Sequence, residues 1–454
     1  MKQINPFSLE DTIVANVTPL VPSAVSIVRI SGKKALDIGK TISKKDNIEP
    51  RKVHFVRFYD QNENLIDEGL LIYFKAPNSF TGEDVVEIHT HGSVPVVKRI
   101  IDEAINLGAR FAEAGEFTKR AFLNGKIDLT QAEAIAQLIE AKTSTASKIA
   151  VNILEGKLSE QINNLRKVLL NLITLIEAEL NFPEDVEEVD IEHIQKEIEK
   201  VLSQIDRLIS SYKKGQIYTQ GIKLAIIGRP NVGKSSLFNA LIGYERAIVS
   251  EYQGTTRDFI EENISIKGIP VKLLDTAGLR ETNDTIEKIG IQKTKEKLEE
   301  ADIVIFVFDA SEGWTKEDKT LYEEIKQKKP IIVGNKIDLL LDKNHRNNII
   351  KDIIYVSSKT KQGIPLLEEK IFERLNVKED IGDEIYINFR HYKALEKSKA
   401  TLESSLKNLE MLKNQKEILM LDIQEAEKHL EEIIGEITTE DVLGNIFSNF
   451  CIGK

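Results

Sequence analysis

Apolar positions along this chain fall into three textures. Up to about residue 120, short runs rich in β-branched and aromatic residues predict strands, VSIVRI at 25–30 and LLIYF at 70–74. In the same region SVPVVKRIIDEAINLGAR (93–110) predicts a helix closed by Gly108. From about 121 the spacing changes. Through 129–180, LTQAEAIAQLIEAKTSTASKIAVNILEGKLSEQINNLRKVLLNLITLIEAEL, apolar residues recur three and four apart and predict helix almost throughout. PEDVEEVD (183–190) interrupts it and reads as a solvated loop or a helix start. EHIQKEIEKVLSQIDRLISSYKKG (192–215) is amphipathic again, with Ile194, Ile198, Val201, Ile205 and Leu208 on one stripe. Between about 216 and 377 strands alternate with helices as in a parallel α/β sheet, and 388–435 returns to long amphipathic helices.

Helical texture on both sides of 216–377 predicts an insertion. The expected fold is multidomain, α/β plus all-α: an N-terminal α/β domain (1–120), a helical domain in two parts (121–215 and 378–454), and a P-loop domain with a mostly parallel sheet (216–377) between those parts. At 454 residues the length fits about three domains.

Composition narrows the class without naming a function. With 41% hydrophobic and 30% charged residues the chain is globular. It contains no apolar run of about 18 residues that would predict a transmembrane helix, and MKQINPFSLEDTIVA lacks the apolar core of a signal peptide. A single cysteine excludes an internal disulfide framework and fits a reducing cytoplasm. The net charge of −11 argues against a general nucleic-acid coat, although it leaves room for a local basic patch.

Candidate chemistry begins at GRPNVGKS (228–235), which fits Gly-x-x-x-x-Gly-Lys-Ser. An apolar run (Ile222, Leu224, Ala225, Ile226, Ile227) precedes it and LFNALIG follows, the strand–loop–helix context the motif requires. Gly228 and Gly233 let the loop curl so that the N–H groups of Asn231, Val232, Gly233, Lys234, Ser235 and Ser236 point at phosphate oxygens. Lys234 supplies a charge to the β- and γ-phosphates, and Ser235 a hydroxyl to Mg²⁺. Asp275, Thr276, Ala277 and Gly278 (DTAG) end the run VKLLD; Asp275 would reach the metal through water and the Gly278 N–H would sense the γ-phosphate. Thr255 and Thr256 lie between loop and strand, where a switch threonine closes over Mg²⁺, and Thr256 is favoured. Asn335, Lys336 and Asp338 (NKID) select guanine, because a carboxylate can accept from both the N1–H and the N2 amine. Ser357, Ser358 and Lys359 end another apolar run and would place an N–H near guanine O6. The chain therefore binds GTP with Mg²⁺. Leu279 stands where Ras-type GTPases carry a water-orienting glutamine, so either hydrolysis is slow or another group orients the water. Arg280, Glu281, Asp284 and Glu287 follow, and any of the carboxylates could hold a bridging water.

The lone Cys451, in FCIGK, is either a small hydrophobe or a reactive thiol, and Lys454 beside it offers the positive charge a reactive cysteine uses. His89 and His91, two apart on a predicted strand, read as a solvated or hydrogen-bonded pair rather than a metal site, since no other ligand cluster accompanies them.

GRPNVGKS, GTTRD (254–258), DTAGLRE, NKID and FCIGK, with DTIVANVTP (11–19), VRISG (28–32), FTGEDVVEIHTHG (80–92) and EFTKRAFLNGKIDLTQAEAIAQLI (116–139), resemble the tRNA modification GTPase MnmE (TrmE) family over essentially the whole chain. The resemblance implies a homodimer formed through an N-terminal domain that binds a tetrahydrofolate one-carbon derivative, 5,10-methylene or 5-formyl. It implies a FAD-containing partner, MnmG (GidA), with which an aminomethyl-type group is installed on C5 of the wobble uridine of certain tRNAs. It also implies K⁺ held in part by Asn231, a water-orienting carboxylate at Glu287, and a functional Cys451 in a terminal motif with Lys454. Two segments depart from the family pattern, LVPSAVS (20–26) and HTHG (89–92); Arg29, Arg120 and Asp128 lie in matching segments and are the folate-side candidates. Two rival readings are a ribosome-assembly GTPase with unrelated flanking domains and a folate-binding scaffold with a slow regulatory GTPase. The first leaves the N-terminal segments and Cys451 without a role.

Overall fold

A computed structural model of the chain describes residues 11–185, 188–244, 263–274, 298–340, 352–412, 415–436, 440–448 and 450–454. Two compact units result: Met1–Ala136, Ile153–Ile205 and Lys393–Lys454 make one, and Gln137–Asn152 with Asp206–Tyr392 the other.

The first unit contains a six-stranded sheet of β1 (Thr12–Asn16), β2 (Ser23–Ser31), β3 (Val53–Tyr59), β4 (Leu65–Phe74), β5 (Val85–Gly92) and β6 (Ala109–Phe111), in the order β3-β4-β5-β2-β1-β6. Neighbours are antiparallel except β1 and β6. Helices Ala35–Ser43 and Val94–Asn106 cover one face, burying Ile38, Ile42, Val97 and Ile100 with Val28, Ile30, Val86 and Ile88. The second of these is the helix expected over 93–110; the chain turns at Gly108, φ +99°, and continues as β6.

Register shows what lies on the opposite face. Val53, Ile72, Glu87, Arg29 and Ala15 form one row across five strands, and Phe55, Leu70, His89 and Ile27 the next. At the β1 end Phe117, from helix Glu116–Leu123, packs on Ile13 and Ala15. At the β3 edge Val53 and Phe55 are 54% and 69% exposed.

Helices Lys157–Asn181 and Lys416–Ile434 come from either side of the phosphate-loop sequence and pack together in this unit. Arg166 donates to Glu427 (2.7 Å), to Glu431 and to Glu436 (2.9 Å). A buried arginine is stable only with such partners. The acidic stretch ends just before a helix: Asp190 accepts from the Glu192 N–H (3.0 Å) at the start of Ile191–Thr219. The predicted stripe Ile194, Ile198, Val201, Ile205 and Leu208 is buried.

The second unit is built on β7 (Ile222–Ile227), β8 (Asn263–Ile266), β9 (Ile269–Leu274), β10 (Ile303–Asp309), β11 (Ile331–Asn335) and β12 (Ile354–Tyr355), ordered β12-β11-β10-β7-β9-β8. All pairings are parallel except the β8–β9 hairpin. β10 (IVIFVFD) is buried at every position, as an inner parallel strand must be. Tyr218, just before β7, donates its hydroxyl to the Lys378 carbonyl (2.7 Å) and accepts the Lys378 N–H (2.9 Å), so the chain entering the unit is tied to the chain leaving it. The fold is the α/β-plus-helical class the hydrophobic pattern predicts. Among the described residues no helix is long and apolar enough to cross a membrane.

Candidate functional site

β7 ends at Ile227 and helix Lys234–Tyr244 begins six residues after Gly228, at a lysine. Asn231 (φ +64°) and Gly233 (φ +92°) turn the intervening loop through the left-handed region. Such turns aim successive N–H groups into one concavity, and the helix N-terminus adds its own unpaired donors. A Cβ at Gly233 would stand 2.3 Å from Asn335 Nδ2, so only glycine fits. Lys234 Nζ donates to the carbonyls of Gly228 and Arg229, both at 2.8 Å. Burial lowers the pKa of this lysine, a strain that triphosphate oxygens would relieve. Ser235 and Ser236 are exposed in the first helical turn. The donor set and the tight turn fit a nucleoside triphosphate.

Asn335, at the end of β11, is buried and ties the motifs together. Its Nδ2 donates to the Val232 carbonyl (3.0 Å), and its Oδ1 accepts from the Ser358 N–H (3.1 Å) and hydroxyl (2.9 Å). Lys336 (φ +65°) pairs with Asp309 at 2.7 Å. Burial raises the Asp309 carboxyl, but Lys336 and Ser311 outweigh it and hold the group below its ordinary value. Asp338 is exposed, with Oδ1 held by the Ser357 hydroxyl at 2.6 Å. Ser357 also accepts the Thr360 N–H (3.1 Å), and Lys359 between them is exposed.

Thr255, Thr256, Asp275, Thr276, Ala277, Gly278 and Glu287 lie outside the described residues, as do Leu279, Arg280, Glu281 and Asp284. β9 ends at Leu274, directly before Asp275. Arg229, Asp309 and Asp318 also do structural work at the site, and no recognised motif assigns them a role. Asp309 ends the apolar run IVIFVFD much as Asp275 ends VKLLD, a parallel that could have singled it out.

The chain's last residues make a second constellation. Helix Glu116–Leu123 has no side-chain cap. Its free donors are met by the tail instead: the Gly115 N–H reaches the Cys451 carbonyl (3.5 Å) and the Phe117 N–H the Lys454 carbonyl (3.1 Å). Ile452 bridges to Ala114, and Gly453 (φ +96°) sits so close to β1 that a Cβ would lie 2.4 Å from the Asn16 oxygen. Buried Phe447 and Phe450, ring centres 5.4 Å apart, anchor the tail and leave Cys451 exposed.

The Phe117 ring lies 5.5 Å from the Arg29 guanidinium, so the helix that the tail caps also borders Arg29. Arg29 pairs with Glu87 at 2.9 Å on the sheet face opposite helices Ala35–Ser43 and Val94–Asn106, and is largely covered there. Arg120 is different. It is 1% exposed and enclosed by Asp11 (2.8 Å), Glu116 (2.9 Å) and Glu83 (3.1 Å). Asp128 caps helix Leu129–Glu140, accepting the Gln131 N–H (3.0 Å) while its own N–H reaches Gln131 Oε1 (3.0 Å). Of the three folate-side candidates, Arg29 is the one on the sheet face away from helices Ala35–Ser43 and Val94–Asn106, between the Phe80 and Phe117 rings. His89 and His91 turn to different carboxylates, Glu87 (3.5 Å) and Asp67 (2.9 Å). Among the described residues no group of three or more His, Cys, Asp or Glu side chains could hold a metal ion.

A phosphate loop on a parallel sheet, joined through one buried amide to a guanine-selecting Asn-Lys-x-Asp segment, defines a GTPase of the P-loop class. Residues 12–126 match the model of the GTP-binding protein TrmE N-terminus, and 129–451 that of the MnmE helical domain. The tRNA modification GTPase MnmE of Aquifex aeolicus (strain VF5) is 49% identical over 448 residues, covering 98% of this chain and 100% of that protein. Its counterpart in Desulforamulus reducens is 43% identical over 463 residues, covering 98% of this chain and 100% of its own. The chain belongs to the tRNA modification GTPase MnmE family, and it is a GTPase.

Proposed function

We propose that this protein is the GTP-hydrolysing member of a cytoplasmic complex that modifies C5 of the wobble uridine in certain tRNAs. The observation that carries the reading is the tail: Cys451 is held, exposed, on a segment capping the helix whose Phe117 lies beside Arg29. A GTPase serving only as a timer would have no use for such a strap. In this reading Arg29 faces a tetrahydrofolate one-carbon derivative and Cys451 acts in the modification step, with Lys454 beside it, while the FAD-containing MnmG supplies the flavin. Arg120, on the same helix as Phe117, shapes that region from within. The exposed apolar residues Val53, Phe55 and Leu70 at the β3 edge support a homodimer formed through the N-terminal sheet.

At the nucleotide, Lys234 and the loop N–H groups bind the phosphates, Asn335 holds the loop to the base-recognition segment, and Asp338 reads guanine. Mg²⁺ on Ser235, Thr256 and, through water, Asp275, and K⁺ on Asn231, would supply positive charge where it develops in hydrolysis. Glu287 orients the attacking water in place of a Ras-type glutamine. Because the chain is acidic at −11, tRNA binding depends on basic surface from the partner protein.

Turnover in K⁺ against Na⁺ at equal ionic strength tests the hydrolytic half. GTP hydrolysis is expected to be at least about 10-fold faster in K⁺, and Glu287→Ala to remove about 100-fold of the K⁺ rate while GDP affinity stays within about 2-fold. Equal, slow rates in both salts would instead favour a regulatory scaffold.

A further inference from the structure

The phosphate loop is held from outside by a segment that touches neither phosphate motif nor base motif in sequence. Arg229, the second residue of the loop, donates Nε to Asp318 Oδ1 at 2.8 Å and Nη2 to Glu312 at 3.0 Å, with Glu317 3.6 Å away. Asp318 is 0% exposed. Its other oxygen, Oδ2, accepts the Thr315 N–H (3.0 Å) and hydroxyl (2.8 Å) in a capping box that starts helix Lys316–Ile325. One carboxylate thus builds the helix start and grips the loop. At the opposite end of the same stretch, Asp309 pairs with Lys336 (2.7 Å) and accepts from the Ser311 N–H (2.9 Å) and hydroxyl (2.6 Å), and the Ala310 N–H donates to the Asn335 carbonyl (2.8 Å). Trp314 fixes the turn between them, its ring 5.4 Å from Phe306 and 5.2 Å from Phe308.

We propose that residues 309–318, DASEGWTKED, form a bracket that sets the spacing of the phosphate loop from the guanine-recognition segment, and that Arg229 is the positioning residue through which it acts on hydrolysis. The Arg229 carbonyl is one of the two that receive Lys234 Nζ, so a shift of Arg229 moves the lysine that serves the β- and γ-phosphates. The guanidinium is committed to carboxylates and does not serve the phosphates itself; the Asp318 and Glu312 contacts keep it charged well above its ordinary range. The bracket touches the reaction only through geometry, and small displacements of a reacting constellation are costly in rate.

The test is GTP turnover and fluorescent-GDP affinity of the full chain carrying Arg229→Gln, Asp318→Asn or both, in buffer containing K⁺ and Mg²⁺, with a thermal melt of each variant. Each single change is expected to lower kcat about 10-fold, by misplacing Lys234, while GDP affinity weakens by no more than about 3-fold. The double variant is expected to be no slower than the slower single, because both changes break one contact. A merely structural role would move the melt and binding together without that kcat-against-affinity split. The proposal is overturned if folded Arg229→Gln turns over GTP at the wild-type rate, if Arg229→Gln is slow while Asp318→Asn is normal, or if the two losses multiply. If Asp318→Asn does not fold, Arg229→Lys decides: loss of about 3-fold or more in kcat supports the bracket, because lysine cannot make the two-pronged contact, and an unchanged kcat overturns it.

Discussion

Asp338→Asn is expected to weaken GTP binding at least about 100-fold and to raise the affinity for xanthosine triphosphate above that for GTP. Guanine presents two donors on one edge, N1–H and the N2 amine, and a carboxylate accepts both. Asparagine keeps one acceptor but turns an amine toward the N2 amine, donor against donor. A bidentate contact to a base edge is worth about 1–3 kcal/mol, and a buried donor left unpaired adds to the discrimination. Xanthine carries an oxygen where guanine carries the amine, so the asparagine amine finds an acceptor. The Ser357 hydroxyl, now 2.6 Å from Asp338 Oδ1, can hold the asparagine oxygen in the same place, which keeps the side chain oriented. Titration of both fluorescent nucleotides measures the effect. Unchanged preference for GTP would remove Asp338 from base recognition.

Gly453→Ala is the second large effect expected, and it reaches the tail without touching the nucleotide. Gly453 has φ +96°, and a Cβ there would lie 2.4 Å from the Asn16 backbone oxygen and 3.0 Å from the Val17 Cα. A strand oxygen cannot swing away as a long side chain could, and alanine resists that φ by about 1–3 kcal/mol. The strap must therefore lift. Lifting it strips the Lys454 carbonyl from the Phe117 N–H and carries Cys451 away from the helix beside Arg29. tRNA modification in cells is expected to fall at least about 10-fold, while K⁺-stimulated GTP turnover of the purified variant stays within about 2-fold. Wild-type modification by Gly453→Ala would show that the docked strap is dispensable.

The phosphate loop and the base-recognition segment were legible because their geometry is local. GRPNVGKS is one contiguous loop whose left-handed residues, Asn231 and Gly233, are the kinds that accept such backbone, and the apolar runs around it report their own burial. The N-terminal sheet was harder. VSIVRI and LLIYF fall inside β2 and β4, but β3 carries an exposed Phe55 and sets His54 and Arg57 among its apolar residues, and three-residue β6 owes its place to non-local pairing of Thr12 with Ala109. Arg120 shows a further reason. Nothing near it announces that its partners stand 4, 37 and 109 residues away, so a buried ion-pair hub and a ligand-binding arginine look alike in sequence. Asp128 was more readable: Asp-x-x-Gln before an apolar run is a capping-box signature, and it serves as one. The tail's docking onto Asn16 and Ala114 had only Gly453 as a local sign.

Nucleoside mass spectrometry of tRNA from cells carrying Cys451→Ser in place of the native protein tests the modification reading most directly. The expected result is loss of the C5-substituted wobble uridine with GTPase activity of the purified variant intact, which assigns the cysteine to the modification step and separates that step from hydrolysis. Unchanged tRNA in that strain, and also in a strain lacking the protein altogether, would contradict it and return the chain to a GTPase whose work lies elsewhere.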